Sequence, residues 1–538
     1  MDPSVASQAD YVIIGAGSAG CVLAARLSEN PANRVVLVEA GGKDRNFWFK
    51  VPVGYSKTVG DPRYDWGFSA GPEPGLGGRT LYYARGKALG GSSSINGLAW
   101  TLGSREDYRR WAELGCTDWD YEDVLPFLKG LETFPEGGAD RGKSGPVRVQ
   151  VNPGLNAASR KFYESCLSYG LPPLPDPNTA EPLGVGRMQT NVGGGVRQSS
   201  ARAYLVPALG RSNLAVITDA QVDGIVIENG AATGIDITVA GQSHRIAANR
   251  EVIVCGGAVG SPLLLEAAGI GDGERLRGLG IDVRTHLPAV GENAADHYFA
   301  SIKLRLRGIQ TLNGSDGGLR AATNGLRYLL TRGGPLSETP TELIGFSRLP
   351  GEDHGPAALE FWCNPLTYEY REVRGKLKAV MDKQPGMTAS FYPCYPRSKG
   401  HVHLGASGRP EIVANYLTDS YDQHVIVEGL RMLRAIIAQP PLSQYVIGET
   451  GALAEAGDST ERMLDYARAA GNTGYHLCGT CRMGSDDASV VDQRLRVRGV
   501  RRLRVADASV MPAIISTHTN APAMMIAERA AAFIQQER

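Results

Sequence analysis

Gly15, Gly17 and Gly20 stand at the spacing GxGxxG, and the acid Glu39 follows 19 residues after the last of them. These residue types suit the holding of a dinucleotide. The first glycine permits a tight turn, the second lets a pyrophosphate approach the backbone, and the third lets helix and strand pack closely. Glu39 is then placed to accept hydrogen bonds from ribose hydroxyls. Ser18, Ala19 and Ala40 stand beside these residues and are expected at the same ligand. A second group, Arg85-Gly86-Lys87-Ala88-Leu89-Gly90-Gly91-Ser92-Ser93-Ser94-Ile95-Asn96, is too rich in small residues to build a core. It reads as backbone lying against a flat or anionic ligand, with Arg85, Gly90, Gly91, Ser92, Asn96 and the next residue, Gly97, as contacts. Of nine histidines only His476 and His518 lie in the last 69 residues. An imidazole, with an ordinary pKa of about 6.5, can give or take a proton at neutral pH.

Strands and helices must position these groups. Tyr11-Val12-Ile13-Ile14 is apolar and rich in β-branched residues, the pattern of a buried strand. Cys21–Leu27 reads as a helix, ended by Ser28 and Asn30-Pro31, and Val35–Val38 as a second buried strand. The order strand, glycine loop, helix, strand, acid is that of a dinucleotide-binding unit. Its helix N-terminus turns free N–H groups and a positive dipole end to the phosphates. The motif does not separate NAD from FAD. Glu251–Gly257 reads as another buried strand entering a glycine turn, and Leu503–Asp507 as a short strand ending in an acid. Phe391-Tyr392-Pro393 and His401–Leu404 have strand character. Gln423–Gln439 is an amphipathic helix with apolar positions at Val425, Val427, Leu430, Leu433, Ile436 and Ile437.

Composition narrows the class. The 538 residues allow three or four domains at about 150 residues each, or a large two-domain enzyme. Lys and Arg number 56, as do Asp and Glu, so no basic excess marks a nucleic-acid binder or a polybasic membrane protein. Glycine is 68 of 538, about 13% against a usual value of about 7%, which points to backbone approaching something closely at several places. Eight cysteines are too few for a disulfide scaffold. Cys478-Gly479-Thr480-Cys481 lacks the second pair a zinc site needs, so no metal is expected. Met1–Asp10 has no secretory pattern, and no stretch reaches the roughly 20 apolar residues of a membrane span. The expectation is a soluble cytoplasmic protein, with loose docking to a respiratory membrane left open.

Gly86–Asn96 resembles the first signature of the glucose–methanol–choline (GMC) oxidoreductases, a family of FAD enzymes. Gly257–Gly271 resembles the second, departing at Ala268, where the family usually has Ser. Val290-Gly291-Glu292-Asn293 with Asp296-His297, then Tyr475-His476 with Gly479–Gly484, then Asp507–Pro512 with Thr519-Asn520-Ala521-Pro522, match in family order. The resemblance covers nearly the whole chain and points to choline-dehydrogenase-like and alcohol-dehydrogenase-like members. It implies an α/β fold. A Rossmann-like FAD-binding domain would be assembled from 6–160, 195–305 and 470–538, and an α+β substrate domain with an antiparallel sheet from 161–194 and 306–469. Val222, Asp507, Ala508, His518, Asn520 and Pro522 join the glycine loops as cofactor-binding residues. Ile95 stands where some relatives carry a histidine that bonds FAD covalently, so the FAD is expected to be non-covalent.

The resemblance makes His476 and His518 the catalytic pair. Oxidising an alcohol removes a proton from oxygen and a hydride from carbon, and the hydride goes to flavin N5. A base on the hydroxyl lets alkoxide character develop as hydride leaves. His476 is read as that base and His518 as the group that holds the same oxygen. Asn520 is expected to cap a helix that begins near Pro522, its dipole favouring a reduced, anionic flavin. The substrate is read as a primary alcohol. Residues 361–395 carry Phe361, Trp362, Tyr368, Tyr370, Phe391, Tyr392 and Tyr395, which suits an aryl or furan-type alcohol, a cage for choline, or ordinary strand packing. Oxygen, a quinone or another small carrier fits as electron acceptor. A hydroxynitrile lyase that holds FAD without redox use and an NAD-linked dehydrogenase are the competing readings.

Overall fold

The computed structural model describes residues 7–373 and 376–537. Its first sheet is built on the apolar runs. Strands Leu214–Ile217, Val35–Val38, Gln8–Ile14 and Gln242–Val254 lie side by side and parallel. On the far edge of Gln242–Val254, the antiparallel strand Ala231–Val239 pairs with its first half and the parallel strand Leu503–Val505 with its second. Ala220–Glu228 completes the sheet. Helices cover parallel strands on both faces, which is why Tyr11–Ile14 and Val35–Val38 are buried without alternation.

The register sets the site. Ile14 stands level with Val38 on one side and Val254 on the other. Gly15, Glu39 and Cys255 therefore leave the sheet at one rim, the carboxyl ends of the parallel strands, where sheets of this kind hold ligands. The helix Ser18–Leu27 begins there, earlier than the apolar run suggested, because the glycine loop itself turns into the first helical residues.

The second sheet is antiparallel throughout, in the order Val446–Glu449, Tyr298–Leu306, Gly386–Pro393, Leu359–Asn364, Leu343–Ser347, Gly184–Arg187. Its strands alternate. Ala300, Phe361 and Phe391 face a core shared with the helices Ala157–Tyr169 and Ser420–Ile437, while Phe299, Trp362 and Tyr392 point the other way. The helix predicted over Gln423–Gln439 starts at Ser420 because Asp419 accepts a hydrogen bond from the Tyr421 N–H. The aromatic segment is thus divided. Trp362, Tyr368 and Tyr392 line the cavity described below, Phe361 and Phe391 are core, and Tyr395 packs in a small separate cluster. The Tyr370 side chain lies outside the described residues. No helix among the described residues is long and apolar enough to cross a membrane.

Candidate active site

A cavity of about 1930 Å³ runs from the rim of the first sheet to the outward face of the second. Ligand pockets for drug-sized molecules occupy about 300–1,000 Å³, so this one has room for a dinucleotide and a substrate together. On the first-sheet side it is walled by Gly15, Gly17, Ser18 and Ala19, by Glu39 and Ala40, and by Val222. Arg85, Gly91, Ser92, Asn96 and Gly97 form the facing wall, and Asp507, Ala508, Asn520 and both predicted histidines close the end. Gly20, Gly90 and Pro522 stand behind these walls, and each has a packing reason. A Cβ on Gly20 would lie 1.9 Å from the Gly15 carbonyl oxygen. Gly90, at φ +89°, donates its N–H to the Ala16 carbonyl at 2.7 Å, tying the two glycine loops together. Pro522 is buried within the first turn of the helix Asn520–Gln536.

Several features fit a flavin dinucleotide. A Cβ on Gly17 would meet no protein atom within 4 Å, so that backbone is open to the cavity. A Cβ on Gly91 would meet the Gly17 Cα at 2.7 Å, so the two loops touch where only glycine fits and leave the open side of Gly17 as a slot on the cavity. The helices Ser18–Leu27 and Asn520–Gln536 both start at the cavity with no side-chain cap, leaving first-turn N–H groups for an anion. Asn520 is therefore not the cap. It is the first helical residue, its Oδ1 accepts from Ser18 Oγ at 2.8 Å, and its buried Nδ2 has no protein partner. Glu39 accepts from the Ala16 and Gly41 N–H groups at 2.8 and 2.9 Å. Burial lifts its carboxyl to about 7, against the pull of those two bonds. The Asp507 carboxylate is spent on the protein, accepting from the Gly257 N–H, Ser261 Oγ and the Ser509 N–H. It fixes the loop whose backbone faces the cavity.

Three imidazoles, not two, meet at the far end. His297 Nδ1 lies 2.9 Å from His476 Nδ1, and His297 Nε2 lies 3.1 Å from the Cys394 carbonyl oxygen. A carbonyl can only accept, so His297 Nε2 carries the hydrogen. Its Nδ1 is then an acceptor, and the hydrogen between the rings belongs to His476 Nδ1. His476 Nε2 is left with its lone pair. Burial, reinforced by His518, His297 and the Arg85 guanidinium, holds His476 well below the ordinary histidine value. Burial also lowers His518 to about 4 and His297 to about 3, so all three rings are neutral at pH 7.

His518 has the opposite tautomer. Its Nδ1 faces Thr517 Oγ1 at 3.3 Å and Glu360 Oε1 at 3.5 Å. Burial pushes the Glu360 carboxyl up to about 8, so at neutral pH it is an acid with a proton of its own. A protonated Glu360 can donate toward Nδ1, and in that arrangement His518 Nε2 carries the hydrogen. The two ring centroids are 4.8 Å apart. With that tautomer the two neighbouring rings can offer one nitrogen lone pair and one N–H.

Asp296 sets the backbone beneath. Its carboxylate accepts from the N–H groups of His297 and His476, at 2.9 and 2.6 Å, and from Tyr416 Oη, Thr473 Oγ1 and Tyr83 Oη. Tyr475, just before the base, takes a left-handed conformation at φ +63°. A non-glycine residue pays strain of about 1–3 kcal/mol there, and such strain gathers at functional sites. Arg197 is fully buried and donates to Asn96 Oδ1 at 2.7 Å, turning the Asn96 amide NH2 away from itself. Burial lowers its guanidinium to about 9.

Sequence reasoning did not single out His297, Glu360 or Arg197 as functional. His297 sat in a quoted motif beside Asp296. Glu360 carried a signal that went unread, an acid inside the strand-like run Leu359–Asn364. Cys478 and Cys481 are free and buried, and among the described residues no cluster of His, Cys, Asp and Glu is placed to hold a metal.

Comparisons with known proteins identify the family. Family models described as GMC oxidoreductase match residues 9–299 and 396–527. An oxygen-dependent choline dehydrogenase of Staphylococcus xylosus is 36% identical, over 98% of this chain and 95% of that one. An uncharacterized GMC-type oxidoreductase of Mycobacterium bovis is 37% identical, over 98% and 99%. Among solved structures, pyridoxine 4-oxidase from Mesorbium loti superposes with a TM-score of 0.87 at 27% identity, over 98% of this chain and 99% of that one. Formate oxidase reaches 0.90 at 23% identity over 99% of both chains and shows the shared fold.

Proposed function

The chain belongs to the GMC oxidoreductases, a family of FAD-binding enzymes, and from that premise we propose that it oxidises a primary alcohol to the aldehyde. The observation that carries this reading is the pair of uncharged rings His476 and His518, centroids 4.8 Å apart, at the end of a cavity shaped for a dinucleotide. The glycine slot, the two uncapped helix starts and Asn520 Nδ2 would hold FAD, and FAD when bound supplies a hydride acceptor. Ile95 lines the cavity without a nucleophilic atom, which supports non-covalent binding. The first sheet with its helices is the cofactor domain in this reading. The second, which the chain enters first at Gly184–Arg187 and again at Tyr298, is the substrate domain.

The residues share the work as follows. His518 Nε2–H donates to the alcohol oxygen and fixes it. His476 Nε2 accepts the hydroxyl proton, and as the ring becomes cationic its Nδ1–H is held by His297. A neutral imidazole takes this proton without first losing one, because burial keeps all three rings uncharged. Arg85, with its guanidinium 4.6 Å from the Tyr83 ring centroid, is a positive charge close enough to His476 to disfavour its protonation and to favour an anion nearby. Phe299, Trp362 and Tyr392 form an apolar wall facing the pair, with the Phe299–Trp362 and Trp362–Tyr392 centroids 5.7 and 5.4 Å apart. They exclude water and suit a flat ring. Glu360, 3.5 Å from His518 Nδ1, is held neutral and supplies no counter-charge there, which supports an uncharged aryl or furan-type alcohol over choline.

The test is an anaerobic visible spectrum of the purified protein titrated with aryl, furan, aliphatic and choline alcohols. Bleaching of the flavin band by the aryl or furan class is expected. His476→Ala should keep its flavin and lose about 10²–10⁴-fold in bleaching rate. A flavin that no alcohol bleaches would sink the redox reading and favour a lyase.

A further inference from the structure

The helix Gly318–Thr331 rests on the protein by one face only. Ala321, Asn324, Gly325 and Tyr328, spaced three and four apart, are its covered positions, and Tyr328 Oη donates to the Gly195 carbonyl at 3.0 Å. Ala321, Asn324 and Gly325 also line the active-site cavity. The opposite face is leucine in water. Leu319 is 81% exposed, Leu326 58%, Leu329 58% and Leu330 75%. A single exposed leucine needs no explanation, but four on one stripe of one helix do. Phe47, 41% exposed, packs on the covered side of the helix, its ring centroid 6.3 Å from that of Tyr328.

Charge selects what covers this stripe. From Gly317 to Ser337 there is no Asp or Glu, and there are three arginines, Arg320, Arg327 and Arg332. Arg320, on one edge of the leucine stripe, is exposed, while Arg327, seven residues on, turns to Gly334 and the cavity with Glu338 near it. Arg332 follows at the C-terminal end, also exposed. Leucines flanked by arginines on a short surface helix match a helix lying in a membrane interface, where apolar side chains enter the acyl boundary and cations meet anionic headgroups. An antiparallel two-fold contact with a second copy fits less well, because it would bring both arginine edges to the same side.

We propose that the helix Gly318–Thr331 docks this enzyme on an anionic lipid bilayer, leucines inward and arginines at the headgroups. The docked face and one wall of the cavity are then the same helix, so an apolar molecule could pass from the bilayer to the cavity with little travel through water. This inference rests on the surface and not on the proposed reaction, so either can fail alone.

The experiment is flotation of the flavin-loaded protein with vesicles of phosphatidylglycerol and phosphatidylcholine, and with phosphatidylcholine alone. Binding to the anionic vesicles, weaker at high salt, is expected. Leu326→Glu with Leu330→Glu should lower the bound fraction about tenfold, and Arg320→Glu should lower it on anionic vesicles. Both variants should keep their flavin and their activity on soluble alcohol, which separates lost docking from misfolding. A wild type that leaves anionic vesicles unbound would overturn the proposal, as would equal binding by the leucine variant. Equal binding to neutral vesicles would remove the anionic part. A dimer in sedimentation that the leucine variant dissolves would assign the stripe to a second copy instead.

Discussion

Replacing His297 by leucine tests the tautomer argument, because His297 has no direct task on the substrate. In the structure its Nδ1 accepts the hydrogen of His476 Nδ1 at 2.9 Å. When His476 takes the alcohol proton, that contact becomes a hydrogen bond from a charged donor to a neutral acceptor in a buried place. Such bonds contribute about 1.5–3 kcal/mol. The neutral bond present before transfer is worth about 0.5–1.5 kcal/mol, so the difference of about 1–1.5 kcal/mol, at about 1.36 kcal/mol per factor of ten, slows proton removal about 5- to 13-fold. His297→Leu also frees His476 to move its hydrogen to Nε2, which removes the base from the alcohol in part of the molecules. The assay is anaerobic stopped-flow bleaching of the bound flavin at saturating alcohol. His297 stacks on Tyr392 with centroids 4.2 Å apart, so a lost ring disturbs packing as well. His297→Asn separates the two effects, since its Oδ1 falls near the place of Nδ1 and restores an acceptor without the ring. The expected order is wild type, then asparagine, then leucine. A leucine variant within about twofold of wild type, with full flavin, would refute the reasoning, and so would an asparagine variant as slow as leucine.

The lowered histidines make the bleaching rate level through pH 6.5, the ordinary histidine value, and a rate that halves there would show that His476 titrates normally. On the alkaline side Glu360 ionises near 8, draws a hydrogen onto His518 Nδ1 and removes the Nε2–H from the alcohol. The rate therefore falls as pH rises through that value, and Glu360→Gln abolishes the fall; a fall that survives in the glutamine variant would remove Glu360 from the account. Gly17→Val leaves the fold intact, since its Cβ meets no protein atom within 4 Å, yet fills the cofactor slot. Its ratio of flavin to protein should drop well below that of wild type with an unchanged circular dichroism spectrum, and a full complement of flavin would show that the slot is not the binding place. Trp362→Ala should raise KM for an aryl alcohol about tenfold, the equivalent of about 1–1.5 kcal/mol of ring contact, while flavin content stays constant. An unchanged KM would remove Trp362 from the substrate wall.

Local sequence revealed what depends on local physics. Val35–Val38 and His401–Leu404 are strands over the predicted residues, because a run of β-branched or alternating residues between turns has few other uses. The glycine spacing foretold a loop at a strand end, and the loop lies there. What stayed hidden depends on pairing between distant segments. Nothing near His297 says that its ring meets His476, 179 residues on, or that the Cys394 carbonyl fixes its tautomer. Trp362 and Phe361 are neighbours of similar composition, and only the strand's phase in the sheet sends one to the cavity and the other to the core. Asn520 was read as a cap from its type, but the helix starts one residue earlier than that reading required, and the side chain turned to Ser18 instead.

That last contact bears on how the protein is made. Ser18 and Asn520 are 502 residues apart, and Arg26 pairs with Glu528 across the same gap. At about 5–20 residues per second, a ribosome needs roughly 25–100 s to make the intervening chain. For all of that time the first glycine loop lacks the wall that completes it, and the apolar face of the helix Ser18–Leu27 lacks the helix Asn520–Gln536 that covers it. The strand Leu503–Val505 reaches the first sheet equally late. Cofactor capture is therefore a late event in the birth of this protein, and the nascent chain must be kept from aggregating through its open first sheet until the final segment is released.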